Sequence, residues 1–117
     1  MLAFTAIAFT SCYADNKEDL YRNFEQPDCD TTDVRFSTEI EPIISQNCAV
    51  PFCHNTSDRQ SGLDLSNYND IQQIANSGLL RQRITATASG IMPPSGALPK
   101  CEVDKILRWV SNGAPNN

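Results

Sequence analysis

The sequence predicts one mainly α domain of short helices, spanning residues 29–117. Apolar residues recur at three- and four-residue spacing near both ends of that span, the pattern of helices with one buried face. No run alternates apolar and polar residues for long enough to make a convincing strand. Clusters of Gly, Pro, Asn and Ser interrupt the chain at short intervals, so the helices are brief and joined by loops.

The first helix is expected over Thr38 to Asn47. Ile40, Ile43 and Ile44 share a face, and Thr38 with Glu41 has the spacing of a capping box. Pro42 lies near the first turn, where a missing N–H costs least. Two shorter helices follow, Tyr68 to Ala75 and Leu79 to Ile84, separated by Asn76-Ser77-Gly78, which has the composition of a C-cap. The last and most strongly patterned helix covers Glu102 to Asn112. Val103, Ile106, Leu107 and Val110 form its stripe, Trp109 stands at the stripe's edge, and Gly113 stops it.

At 117 residues and 40% hydrophobic content, the chain has room for one globular domain with a limited core. A domain of this size is expected to need a further staple, such as disulfides, a metal or a cofactor. The formal net charge is −5 and the nine Lys and Arg residues are scattered. That balance excludes nucleic acid as the expected partner, because phosphate binding needs clustered cations. No run of 18 or more apolar residues is present to span a membrane.

Residues 1–11, M-L-A-F-T-A-I-A-F-T-S, form an apolar stretch of the length of a signal-peptide core. The stretch ends in Phe9-Thr10-Ser11-Cys12, which resembles the lipobox of bacterial lipoproteins, where a small residue precedes the cysteine that becomes acylated. Phe9 stands where leucine is usual, and no basic residues precede the apolar stretch, so a start upstream of Met1 stays open. The competing role for Cys12 is an ordinary disulfide cysteine. Removing it from the count of five leaves an even four, which suits an oxidising compartment. Residues 12–28 are then a lipidated cysteine and its tether. Asp15, Glu18, Asp19, Glu25 and Asp28 face only Lys17 and Arg22 there, as in a solvated linker.

The chemistry lies in Cys48-Ala49-Val50-Pro51-Phe52-Cys53-His54, two thiols followed directly by the chain's one imidazole. Attachment of haem c needs two thiols to add across the porphyrin vinyl groups, with an adjoining His held beneath the ring to bind iron. Two residues usually separate the cysteines. Here there are four, a less common spacing known from multihaem cytochromes, in which the longer loop must bulge between its anchors. The competing arrangement is a Cys48–Cys53 disulfide beside a bystander His54.

Apart from Met1, Met92 is the only methionine, and it stands in Ser89-Gly90-Ile91-Met92-Pro93-Pro94-Ser95-Gly96. A residue before proline is pushed to extended geometry and paired prolines stiffen the loop, so the thioether is expected on a rigid strap. Alone, such a Met reads as core filler. Beside the haem motif it reads as the sixth iron ligand.

From Phe36 to Ala114 the chain resembles the small monohaem c-type cytochrome domains of bacterial lipoproteins. The resemblance is carried by F-S-x-x-I-x-P-I-I before the cysteines, Gly62-Leu63-Asp64-Leu65-Ser66-Asn67-Tyr68, Met92-Pro93-Pro94, and a helix ending Trp109-Val110-Ser111-Asn112-Gly113-Ala114. It implies a cytochrome-c-like fold whose first and last helices cross beside the haem. It also implies His54 as proximal and Met92 as distal ligand, with Cys48 and Cys53 as thioethers. The four-residue gap departs from the usual pattern and bears on the local loop geometry. Cys29 and Cys101 remain, and pairing them would tie the entry of the domain to the start of its last helix. Arg35, Arg81, Arg83, Lys100, Tyr68 and Trp109 are candidates to meet haem propionates. Phe52, Leu63, Leu65, Ile91 and Leu98 are candidates for the haem wall.

With both axial positions filled, the expected function is one-electron transfer rather than catalysis. The acidic balance predicts redox partners with a basic docking patch. Three alternatives stay open. One is a zinc lipoprotein with Cys48, Cys53, His54 and either Cys29 or Cys101 as a Cys3His site. Another is a five-coordinate haem sensor or peroxidase-like protein with Met92 off the iron. The last is an interaction lipoprotein held by two disulfides.

Overall fold

The computed structural model describes residues 29–87 and 89–117, and the expected leader, the acidic tether and Cys12 lie outside these residues. Among the described residues every regular element is helical and there is no strand. A wide π-type turn over Phe36–Ile40 runs into α1 (Glu41–Asn47), and a single 3-10 turn, Gln60–Gly62, follows a long loop. Next come α2 (Tyr68–Asn76) and α3 (Leu79–Ile84), and then α4 (Lys100–Ser111). The mainly α expectation holds, and all four expected helices are present within two residues of their expected bounds.

The first helical segment begins at Phe36, two residues early, and its start is built differently from the expectation. No Thr38–Glu41 capping box forms. Thr38 donates its hydroxyl to the neighbouring Glu39, whose carboxylate also accepts the backbone N–H of Arg35 at 3.0 Å. The next two N–H groups are satisfied from the far end of the chain. Phe36 donates to the Asn117 side chain at 2.8 Å and Ser37 to the Asn117 carbonyl at 3.0 Å. Four N–H groups at a helix start need partners from outside the helix, and here the C-terminal tail supplies two of them. Ile40, Ile43 and Ile44 are buried, as their spacing requires.

Asn67 caps α2 by accepting the Asp70 N–H at 3.0 Å, and Ile71, Ile74 and Ala75 form its buried face. Gly78 has φ +83°, a left-handed conformation that a side chain disfavours, and it turns the chain from α2 into α3. Helices α2 and α3 pack against each other, while α4 packs against the first helical turn.

Trp109 is not at the edge of the α4 stripe. It is 0% exposed at the centre of the core with Ile40, Ile44 and Ile106. The Phe36 ring lies 5.6 Å from Trp109 and meets Tyr68 edge-on at 5.0 Å, so three elements share one aromatic cluster. The indole N–H donates to the Pro115 carbonyl at 2.9 Å, which removes the usual penalty for burying it. Tyr68 donates its hydroxyl to Ala114 at 2.8 Å. The C-terminal tail is thus folded back over the first and last helices.

Cys29 and Cys101 lie at disulfide distance, with sulfurs 1.99 Å and Cα atoms 5.4 Å apart. The bond fastens the entry of the domain to the first turn of α4.

Candidate functional site

Cys48, Cys53, His54 and Met92 all line one mostly apolar cavity of about 450 Å³. Cavities of roughly 300–1,000 Å³ take drug- and cofactor-sized ligands. Cys48 closes α1 in the core at 9% exposure, while Cys53 and His54 follow on the bulged loop and are half-buried. Both thiols are free. The competing Cys48–Cys53 disulfide is not formed.

Backbone hydrogen bonds fix the loop that carries these residues. The Cys48 carbonyl accepts the His54 N–H at 3.1 Å, which closes the loop on itself. Leu65 then donates to the His54 carbonyl at 2.7 Å and Gln60 to that of Cys53 at 2.9 Å. The segment that supplies Leu65 is set by Asp64, which accepts the Ser66 N–H at 3.0 Å and faces the Arg59 guanidinium at 3.5 Å. The Ser66 hydrogen bonds, joined by Thr56 and Arg59, hold the Asp64 carboxyl below its usual range. Gly62 to Tyr68 therefore has a local task, which is to orient the histidine loop.

The bulge carries strain at the cavity mouth. Phe52 has φ +66° and is 83% exposed, the one large hydrophobic residue on the surface among the described residues. Its N–H donates to Asp58 at 2.7 Å, a bond that holds this unfavourable conformation. Arg59 and Ser61 are also left-handed, at φ +40° and +56°. Of these, Phe52 alone lies between the two cysteines.

The imidazole Nδ1 of His54 is buried and has no hydrogen-bond partner in the protein. A buried polar atom left this way costs about 1–3 kcal/mol. Two free thiols, one imidazole and one internal thioether lining a single cavity are the donor types that a covalently attached iron porphyrin uses. The alternative Cys3His zinc set is not assembled, because Cys29 and Cys101 lie against each other. Among the described residues no three His, Cys, Asp or Glu side chains stand close enough to hold a metal ion.

Burial, followed by the nearby Cys53 and Glu102, pushes the Cys48 thiol up to about 11. In the unloaded chain at pH 8 its thiolate is therefore about a hundredfold scarcer than that of an ordinary thiol near 9. Alkylation of Cys48 by iodoacetamide is expected to keep rising tenfold per pH unit until about pH 11, where an unshifted thiol levels off near pH 9. Peptide mapping by mass spectrometry across pH 7–11 measures this, and a plateau near pH 9 contradicts it.

The expected wall residues Phe52, Leu63 and Leu65 line the cavity. Leu98 does not, being packed in the core, and Ile91 also lies off the lining. The cavity's far wall comes from Ile74, Leu79, Leu80 and Ile84 of α2 and α3. The sequence placed these residues on two short helices, but burial against a neighbouring helix and burial against a ligand produce the same local pattern. Of the six propionate candidates, Arg83 alone lines the cavity. Tyr68 and Trp109 spend their donors on the C-terminal tail, Arg35 pairs with Asp33 at 3.0 Å, and Lys100 pairs with Asp104 at 2.5 Å. Arg81 lines a polar groove beside Cys29. Among the described residues no helix is long and apolar enough to cross a membrane.

Comparison with protein-family models, curated proteins and solved structures finds no match to the chain.

Proposed function

We propose that this protein is a lipid-anchored monohaem c-type cytochrome that carries single electrons, with a cytochrome-c-like arrangement of helices around the cofactor. One observation carries the reading: the Cys48, Cys53, His54 and Met92 side chains, chosen by motif and by uniqueness in the sequence, line the same apolar cavity. Three of the four come from one seven-residue segment, so the tertiary part of this observation is Met92, which joins them from a separate strap.

In this reading Cys48 and Cys53 would hold the porphyrin through thioethers, and His54 and Met92 would bind its iron. An iron porphyrin bound in this way supplies a one-electron ferric–ferrous couple. With His54 and Met92 both holding the group, no position would be left for a substrate, which favours a carrier over an enzyme. The apolar wall of α2 and α3, together with Met ligation, would favour the ferrous form and raise the potential. Phe52 both lines the cavity and is exposed.

Lipidation of Cys12, export to the periplasm or cell surface, and partners with basic docking patches complete the proposal. The acidic balance of the chain supports such partners. The Cys29–Cys101 pair supports an oxidising compartment.

The test is intact-mass measurement after expression with haem-maturation machinery, together with a reduced-minus-oxidised spectrum. The expected product is coloured and heavier by one haem. A colourless protein of bare polypeptide mass overturns the proposal.

A further inference from the structure

We propose that Arg83 is the positioning residue that holds the Met92 strap against the cavity, an inference that rests on the haem reading above. Arg83 lies in the last turn of α3 and lines the cavity. Its backbone carbonyl accepts the Met92 N–H at 3.0 Å, and its guanidinium Nη1 donates to the Gly90 carbonyl at 3.2 Å. One residue therefore grips the strap at two points, once through the backbone and once through the side chain.

The end of α3 explains the backbone half of this grip. The last carbonyls of a helix have no partner within it. Thr85 takes the Arg81 carbonyl at 3.1 Å, which leaves the Arg83 carbonyl for Met92. Gly90 explains the side-chain half. It has φ +95°, and a Cβ built on it would stand 2.7 Å from Arg83 Nη1. The strap thus lacks a side chain at the point where the guanidinium lies, in a conformation that glycine adopts at least cost.

Arg83 enters none of the ion pairs formed among the described residues, so the guanidinium is not drawn away to a carboxylate. A thioether is a neutral ligand, and its hold on iron depends on how well the protein prepositions it. Arg83 supplies that prepositioning from α3, the same helix that walls the cavity.

The test uses the haem-loaded protein and imidazole as the probe, its affinity for the ferric form read from the Soret shift. Arg83→Gln is expected to raise imidazole affinity about three- to tenfold, the range set by losing one hydrogen bond. Met92→Ala is expected to raise it further, and adding Arg83→Gln to Met92→Ala should then change nothing. An equal rise in both backgrounds means general loosening of the domain and overturns the clamp. No rise from Arg83→Gln beside a large rise from Met92→Ala also overturns the clamp and leaves the haem reading standing. An unchanged affinity in Met92→Ala removes Met92 from the iron and overturns both. In the unloaded chain, exchange of the Met92 amide should rise by about the same three- to tenfold in Arg83→Gln. Unchanged exchange overturns the clamp whether or not porphyrin binds.

Discussion

His54→Ala is expected to fold as the unloaded chain does and to lose more than about a hundredfold in yield of pigmented protein with a low-spin spectrum. The size follows from the kind of group removed. Altering the partner of a metal ligand costs about 10–100-fold, and removing the ligand itself lies beyond that range. His54 is the only imidazole in the chain, so no other ring can take its place. The fold should survive because the loop is held by backbone bonds, His54 N–H to Cys48, Leu65 to His54 and Gln60 to Cys53, none of which needs the imidazole. Alanine also removes a buried ring nitrogen that has no protein partner. Circular dichroism and thermal unfolding of the unloaded variant, with pigment yield and the reduced spectrum of the loaded one, measure both halves. A wild-type low-spin spectrum in His54→Ala ends the case for this ligand.

Replacing Cys29 and Cys101 together by alanine is expected to destabilise the domain by about 4 kcal/mol in the chain-entropy treatment, because the bond closes a loop with a sequence separation of 72. For a domain of this size that is a fall in melting temperature on the order of 15–30 °C. The reason is topological. The disulfide joins Cys29 to the first turn of α4, and α4 carries Trp109 and Ile106 into the centre of the core. Without it the unfolded chain regains the freedom of nearly the whole domain. Thermal unfolding of the double variant against wild type, and of wild type with and without reductant, measures this. A change below about 1 kcal/mol would show that the unfolded chain is already restrained by other means.

Much of the architecture was legible from local chemistry. Ile40, Ile43 and Ile44 on one stripe, Gly78 between two helices and Gly113 after the last are read correctly because each acts through its own backbone or its nearest turn. Misreadings fall where a distant segment intervenes. The Thr38–Glu41 box is replaced by bonds to Glu39 and Asn117, and Trp109 moves from the edge of its stripe to the centre because Phe36 and Pro115 meet it there. At the site, the cysteine–histidine motif and the lone internal methionine were visible by identity and order. The helical wall was not, because Leu80 and Ile84 carry no mark that separates a ligand-facing position from a core one.

Residue identity and order alone determined the mainly α class, the helix positions and the presence of two neighbouring thiols, one imidazole and one internal thioether, since these depend on covalent connectivity and short-range sterics. The tertiary structure alone decided that α2 and α3 wall the cavity, that Cys29 lies against Cys101, that the C-terminal tail caps the first helix, and that Arg83 grips the strap bearing Met92. These are contacts between residues far apart in the chain. They exist only once burial of the shared apolar faces has brought the segments together.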